Sequence, residues 1–317
     1  MSGPLILAIP SKGRLKEQAE AWLADCGLHL VMEGGARGYA AALDGLPGVE
    51  VRLLSAADIA VALEAGEVHL GVTGEDLLAE RGSDDALRRL VLRRLAFGRA
   101  DLVVAVPKSW LDVDGMADLE EVAHEHLART GARIRVATKY LTQTRAFFAR
   151  HGLADYRIVE SGGATEGAPA AGQAELVIDI TTTGATLAAN GLKVLPGGTI
   201  LKSQALLVAA LSAPWDPARL TLAERLLRIV EARGAALSSA TLIWSGDGGR
   251  QAAAVVQALI GQGAKERPNG LLLPAAQASQ AAADLAAAGI GPVTVTRPQF
   301  LFESTCPAAE ALAAQVI

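Results

Sequence analysis

Cysteine, aromatic side chains and long apolar runs are all scarce in this chain. Its two cysteines, Cys26 and Cys306, stand far apart among 317 residues, which argues against both a disulfide framework and a zinc site. Aromatic residues make up 4% of the sequence and apolar residues 51%, so a sizeable core has to be assembled from Ala, Val, Leu and Ile. That composition suits parallel sheets covered by Ala- and Leu-rich helices. Basic charge is in deficit, with a formal net charge of −5, and there is no basic stripe of the kind that tracks nucleic acid. A cationic cluster, Arg88, Arg89, Arg93 and Arg94, is short and reads as a solvated helix face or loop. No apolar run approaches the roughly 18 residues that cross a bilayer. The segment Met1–Leu7 has no basic stretch followed by a long apolar one, so the expectation is a cytoplasmic protein with no membrane or nucleic-acid partner. The five histidines, His29, His69, His124, His126 and His151, fall in no triad or metal-ligand spacing, and each reads as a surface or capping residue.

What the sequence does have is alternation. Short apolar runs at Leu5–Ile9, Val51–Leu54, His69–Thr73, Leu102–Val106, Ile134–Ala137, Arg157–Val159, Leu176–Ile180 and Leu206–Ala210 read as strands. Helical patterns fall between them at Lys16–Cys26, Ala56–Ala65, Leu119–Arg129, from Tyr140 through Phe148, at Thr165–Ala171 and at Ala185–Asn190. A further helix opens after Gly74-Glu75-Asp76. This order predicts an α/β architecture with mostly parallel sheets. Pro214-Trp215-Asp216-Pro217 marks a break, and the Ala-rich remainder, which has no histidine, reads as a separate small α/β domain. Its helices are expected at Leu220–Ala232, Arg250–Ile260 and Ala276–Ala287. Its strands, at Thr241–Trp244, Gly270–Leu273 and Val293–Thr296, give a βαβαβ order.

The most informative stretch is Leu176-Val177-Ile178-Asp179-Ile180-Thr181-Thr182-Thr183-Gly184-Ala185-Thr186-Leu187. An apolar strand delivers one carboxylate, Asp179, to its carboxyl end. A threonine- and glycine-rich loop then opens a helix. Backbone N–H groups at a helix start bind phosphate, threonine hydroxyls add donors, and glycine admits a close approach. Ligands of open α/β sheets sit beyond the carboxyl ends of the strands. An acid beside such a loop is poorly placed for phosphate and well placed for ribose hydroxyls, which points to a 5-phosphoribosyl ligand. A threonine-rich helix cap with a surface aspartate accounts for the local pattern equally well. Gly197–Ser203 lacks the Gly-Lys pair of a P-loop and reads as a turn entering a strand, and Ser245–Gly249 reads as a plain turn.

Glu166, Gly172, Ala174, Val177, Asp179, Ile180, Thr183, Gly184, Thr186 and Leu187 fall at the spacing of the signature of the ATP phosphoribosyltransferases, and the chain resembles that family. Pro10-Ser11-Lys12-Gly13-Arg14-Leu15, Leu70–Leu78 and Arg135–Tyr140 with Thr144-Arg145 are similar to three further family segments, in the family's order. The resemblance spans roughly residues 5 to 210. It implies two lobes resembling periplasmic binding proteins, facing each other across a cleft. Residues 1–97 and 180–213 would form the first lobe, residues 98–179 the second, and residues 214–317 a smaller C-terminal domain. It implies transfer of the phosphoribosyl group of phosphoribosyl pyrophosphate (PRPP) to N1 of ATP, with release of pyrophosphate, as the first step of histidine biosynthesis. Glu166 and Asp179 would hold the ribose hydroxyls, and Thr182, Thr183, Gly184, Ala185 and Thr186 the 5-phosphate. Lys12 and Arg14 would face the phosphates, with ordinary exposed cations their other reading. Gly74, Asp76, Thr138 and Tyr140 would lie along the ATP cleft, with helix capping the other reading of Asp76 and packing that of Tyr140. No protein metal site is expected, Mg²⁺ being carried by the substrates.

The resemblance also implies a homo-oligomer. The family has a short form that works with a histidyl-tRNA-synthetase-like regulatory subunit, and a long form whose extra domain binds histidine as feedback inhibitor. The length suits the long form, although a βαβαβ order does not match that domain's ferredoxin-like pattern. A non-catalytic two-lobed binding or sensing protein is the alternative function.

Overall fold

The computed structural model describes residues 3–32, 40–82, 88–246 and 249–316. Met1, Ser2 and the Asp247-Gly248 centre of the Ser245–Gly249 turn lie outside these. The first lobe runs β1 (Leu5–Pro10), α1 (Gly13–Asp25), β2 (His29–Met32), β3 (Ala40–Asp44), β4 (Val49–Leu54), α2 (Ala56–Ala65), β5 (Leu70–Gly74), α3 (Glu75–Glu80) and β6 (Arg89–Arg94). The second runs β7 (Ala100–Pro107), α4 (Met116–Thr130), β8 (Ile134–Thr138), α5 (Leu141–Arg150), β9 (Tyr156–Glu160), β10 (Leu176–Thr181), α6 (Ala185–Ala189) and β11 (Leu192–Ser203). β12 (Ala205–Ala210) then rejoins the first sheet, whose order is β2-β3-β4-β1-β5-β12-β6, while the second is β11-β7-β10-β8-β9. The expected two α/β lobes with a smaller C-terminal unit are there, but the sheets are mixed and not mostly parallel: β2-β3-β4 and β5-β12-β6 join antiparallel in the first lobe and β11-β7-β10 in the second.

Physical reasons for the elements are local. β1 pairs in parallel with β4 and β5, and Leu5, Leu7 and Ile9 are wholly buried in the first lobe's core, as an apolar run in a covered parallel sheet requires. Ser55 caps α2 by accepting from the Asp58 N–H at 3.1 Å. Gly66 ends the helix with φ +70, and a Cβ there would stand 2.8 Å from the Ser212 carbonyl oxygen.

Five further readings from sequence need correction. Arg89, Arg93 and Arg94 belong to an edge strand, β6, and not to a helix face or loop. Arg89 donates to the carbonyls of Leu78 and Gly82 at 2.8 and 3.1 Å, and Arg94 forms a bidentate pair with Glu75 at 2.7 and 2.8 Å. The chain returns to the first lobe at Gln204, not near residue 180. α6 stays on the second lobe, and β11 runs antiparallel along β7 from Leu192 to Ser203, with register shifts around Val194–Leu201. The expected helix at Thr165–Ala171 is a 3-10 turn, Thr165–Gly167. Pro169 has no N–H to give Thr165 O, which takes the Ala168 N–H at 3.1 Å instead. The fourth correction concerns the C-terminal region, the fifth His69.

That region is not separate from residue 214 onward. α7 (Pro217–Leu237) buries Ala223, Leu226, Leu227 and Val230 in the first lobe's core, and α10 (Pro307–Val316) returns Leu312 to the same core. Between them, β13 (Ser239–Trp244), α8 (Gly249–Gly261), β14 (Lys265–Arg267), β15 (Gly270–Pro274), α9 (Ala278–Ala287) and β16 (Val293–Thr296) enclose a core of their own, including Leu242, Leu271 and Leu285. The sheet order β14-β15-β13-β16 is antiparallel throughout. The element order is thus βαββαβ, the ferredoxin-like pattern, and not βαβαβ. No helix among the described residues is long and apolar enough to cross a membrane.

His69 is not a surface residue. It is 2% exposed. Its Nδ1 accepts the Ile6 N–H at 3.1 Å, and its ring meets Trp215 edge-on at 5.1 Å. Burial lowers its pKa below the usual histidine value, with Arg219 and Arg52 acting in the same direction and the Pro214 backbone and Asp216 opposing. The folded state therefore favours neutral His69, whereas the unfolded chain takes up the proton below about pH 6.5. Stability from this group is complete above that value and declines as pH falls toward the lowered folded-state value. Urea unfolding of wild type and His69→Gln between pH 7.5 and 5.5 measures it. The wild type should lose stability more steeply on acidification, by up to about 1.4 kcal/mol per pH unit, and parallel slopes would refute the assignment.

Candidate active site

The candidate residues arise where strands end. β1 runs through Ser11 and Lys12 into α1, β5 into α3, β8 into α5 and β10 into α6. Each βα loop therefore opens on the carboxyl side of its sheet, and the two passes between lobes turn these sides toward one another. A cleft of about 320 Å³ lies between them, lined among others by Arg14, Gly74, Asp76, Arg99, Lys139, Tyr140 and Thr182.

Asp76 is the most constrained of these. It is 5% exposed, and both carboxylate oxygens are occupied: Oδ2 accepts the Tyr140 hydroxyl at 2.7 Å and Oδ1 the Ser203 hydroxyl at 2.8 Å. The Asp76 N–H in turn donates to Ser203 Oγ at 3.0 Å. Gly74 explains itself here, because a Cβ would stand 2.4 Å from Asp76 Oδ1. Burial first, then the charge and hydrogen bond of Asp76, push the Tyr140 phenol far above its usual value, so it remains a donor. Thr138 is wholly buried, and its hydroxyl accepts the Tyr140 N–H at 2.9 Å. Lys139, between them, is exposed, with Nζ 5.0 Å from the Tyr140 ring centre.

Asp179 accepts the N–H of Ile180 at 2.8 Å. Burial raises its pKa above the usual carboxylate range; the Ile180 N–H and Lys139 oppose the rise, and Glu166 and Asp76 add to it. Glu166, on its 3-10 turn, thus acts on Asp179 through its charge. In the threonine loop Gly184 adopts φ +75. Its N–H donates to Thr181 Oγ1 at 2.8 Å, the Ala185 N–H donates to Thr183 Oγ1 at 3.4 Å, and the Thr182 hydroxyl donates to the Arg99 carbonyl at 3.3 Å. The loop holds its own shape by using the two amides at the helix start, leaving the exposed hydroxyls of Thr183 and Thr186 as donors for a ligand. Lys12 and Arg14 are exposed at the start of α1, after Lys12 in extended backbone.

The sequence reading missed Arg99, Ser203 and Glu80. Arg99 sits alone on a crossing, and Ser203 is remote in sequence, so neither gave a signal. Glu80 did give one: it lies one turn after Asp76 on α3, hence on the same face. Across the cleft it accepts the N–H groups of Thr142 and Gln143 at 2.8 and 3.1 Å.

Comparison with known proteins agrees with this geometry. The family model described as HisG: ATP phosphoribosyltransferase matches residues 55–232. An ATP phosphoribosyltransferase of Caulobacter vibrioides is 66% identical over 304 residues, covering 96% of this chain and 95% of its own. One from a Bradyrhizobium strain is 56% identical over 236 residues, covering 74% and 73%. A solved structure, the ATP phosphoribosyl transferase (HisG:HisZ) complex from Thermotoga maritima, superimposes with a TM-score of 0.53 at 25% identity, covering 72% of this chain and 98% of that one. A family model that matches more than half of the chain, together with a 66% identical relative of the same name along nearly its whole length, leads to one conclusion: this chain belongs to the ATP phosphoribosyltransferase family.

Proposed function

We propose that the cleft between the two sheets is where this pentosyltransferase joins ATP to PRPP, the opening reaction of histidine biosynthesis. The observation that carries the reading is convergence: cations from Arg14, Arg99 and Lys139 and the polar loop at Thr182 line one cleft, beside the paired acids Asp179 and Glu166. Glu166 and Asp179 accept from the ribose hydroxyls. Thr183 and Thr186 donate to the 5-phosphate, which nests at the turn of Gly184. Lys12, Arg14, Arg99 and Lys139 face the pyrophosphate and triphosphate, where fixed cations offset the charge of two polyanions. Asp76, Tyr140 and Thr138 spend their polar atoms on one another and on Ser203, so they form the floor of the nucleotide cleft rather than its hydrogen-bonding wall.

Adenine N1 attacks C1 of the phosphoribosyl group as pyrophosphate leaves, with inversion. No side chain has to act as nucleophile, and the rate comes from holding the two substrates in line and from charges fixed in advance. Asp179 must be ionised to do this, and its raised pKa puts the acid limb of activity above the usual aspartate range. Mg²⁺ enters as part of the substrates, on their phosphate oxygens, because it takes few protein ligands. Among the described residues no three His, Cys, Asp or Glu side chains converge as a metal cage. A reaction drawing on ATP and PRPP is in keeping with a cytoplasmic protein.

The βαββαβ unit supports the long-form reading, with histidine as a feedback ligand of that unit; the family likeness adds a homo-oligomer as the working state, with a histidyl-tRNA-synthetase-like regulatory subunit the alternative partner. The solved HisG:HisZ chain matches only part of this longer one.

Two measurements test these roles. Purified protein with ATP, PRPP, Mg²⁺ and pyrophosphatase should form phosphoribosyl-ATP, followed by absorbance and mass. Thr186→Val should raise the KM for PRPP about tenfold, the worth of one hydrogen bond to a charged group. Asp179→Ala should lower kcat/KM about a hundredfold or more, as loss of a charged partner in a desolvated site does. Wild-type rates in both variants would sink the assignment. Separately, saturating histidine should slow the wild type, and an unchanged rate would remove the regulatory reading.

A further inference from the structure

We infer that Asp76 and Tyr140 are positioning residues: their hydrogen bond latches the two lobes together at the cleft floor and holds the Thr138–Tyr140 turn so that Lys139 stands opposite Asp179. Asp76 belongs to the first lobe and Tyr140 to the second, and the bond between them is 2.7 Å long with both side chains buried. Neither oxygen of Asp76 is open to a substrate, since Ser203 takes the other at 2.8 Å. Ser203 ends β11, one residue before the return at Gln204, so the latch is tied to the hinge itself.

A second contact reinforces the first. α5 has no side-chain cap of its own, Tyr140 being its capping residue. The cap comes from the other lobe, where Glu80 accepts the N–H groups of Thr142 and Gln143. Asp76 and Glu80 lie on one face of α3, so one helix of the first lobe grips the first turn of one helix of the second. Lys139 immediately precedes Tyr140, the capping residue of the gripped turn, and its ammonium lies over the Tyr140 ring. The charged groups that act on Asp179 are Lys139, Glu166 and Asp76, and Lys139 is the only cation of the three. Losing the latch leaves Asp179 facing two acids with its cation displaced.

The test is the titration of the Asp179 carboxyl carbon, followed by NMR in ¹³C-aspartate-labelled full-length protein and assigned by its loss in Asp179→Asn. Lys139→Met should raise the midpoint by half a pH unit or more. Tyr140→Phe, which keeps the ring but removes the bond, should raise it by a comparable amount, and the double variant should rise no further than the larger single effect. An unmoved midpoint in Lys139→Met or in Tyr140→Phe, or fully additive shifts, overturns the inference, because a merely structural tyrosine would lower the unfolding temperature without moving Asp179. If Tyr140→Phe does not fold, Glu80→Ala loosens the same turn and takes its place with the same expectations. The effect on activity rests on the proposed role of Asp179, and the acid limb of kcat/KM should move with the midpoint. A moved midpoint with an unmoved limb would keep the latch and refute that role.

Discussion

Two short passes of backbone join the sheets, and the cleft depends on how they are held. They do not run independently. The Leu95 N–H donates to Ala205 O at 2.8 Å, and the Ala205 N–H donates to Phe97 O at 3.1 Å, so outgoing and returning strands form a narrow hydrogen-bonded ribbon. Gln204 O receives the Glu75 N–H at 2.9 Å, which fixes the start of α3 to the same ribbon. Gly98, at φ +67, turns where a Cβ would stand 2.8 Å from Leu15 and 3.0 Å from Ala205. Backbone this crowded bends at few points. The βα loops of the two lobes therefore meet in a restricted set of separations, which is the condition for charges placed in advance to aid a reaction.

The charges themselves are unevenly committed. The acids of α3 are bonded to protein, buried Asp76 to two hydroxyls and half-buried Glu80 to two amides, whereas Lys12 and Arg14 stand exposed at the start of α1. Such an arrangement, with the acids satisfied internally and the cations open to solvent, suits anionic ligands. Asp179 lies between these extremes, half-buried, with one backbone donor and one nearby cation, and its raised pKa records an incomplete set of partners.

Much of this was legible in the sequence because buried parallel strands announce themselves. Leu5–Ile9, Leu102–Val106 and Leu176–Ile180 are continuous apolar runs, and the structure extends each by only a residue or two at its ends. Strands at sheet edges were not legible. Lys265–Arg267 is charged and wholly exposed, so β14 carries no apolar signal, and its absence turned a βαββαβ unit into an apparent βαβαβ. β6 hid behind its arginines, although Leu90, Val91 and Leu92 stand among them. β11 was masked by Pro196-Gly197-Gly198, which strand propensity disfavours and which the sheet accommodates through a shift in register. The threonine loop and its aspartate were recognised from residue type. Ser203 and Arg99 were not, because they reach the site through topology, and one chain read in order does not reveal which distant residues its folding brings together; Glu80, one turn after Asp76, was legible and passed over.

The return of α10 to the first lobe carries a consequence for how the molecule is divided. Seen by topology, the ferredoxin-like unit is an insertion between two helices of the catalytic body rather than an appendix to it. Leu312, 1% exposed, and Cys306 complete a core that begins at Leu5. The unit is consequently clamped at both ends, and a strain arising within it has two covalent routes into the sheet that bears the cleft. Trimming the last turns of the chain, by a protease or a premature stop, would therefore unseal the catalytic lobe while leaving the inserted unit's own core whole.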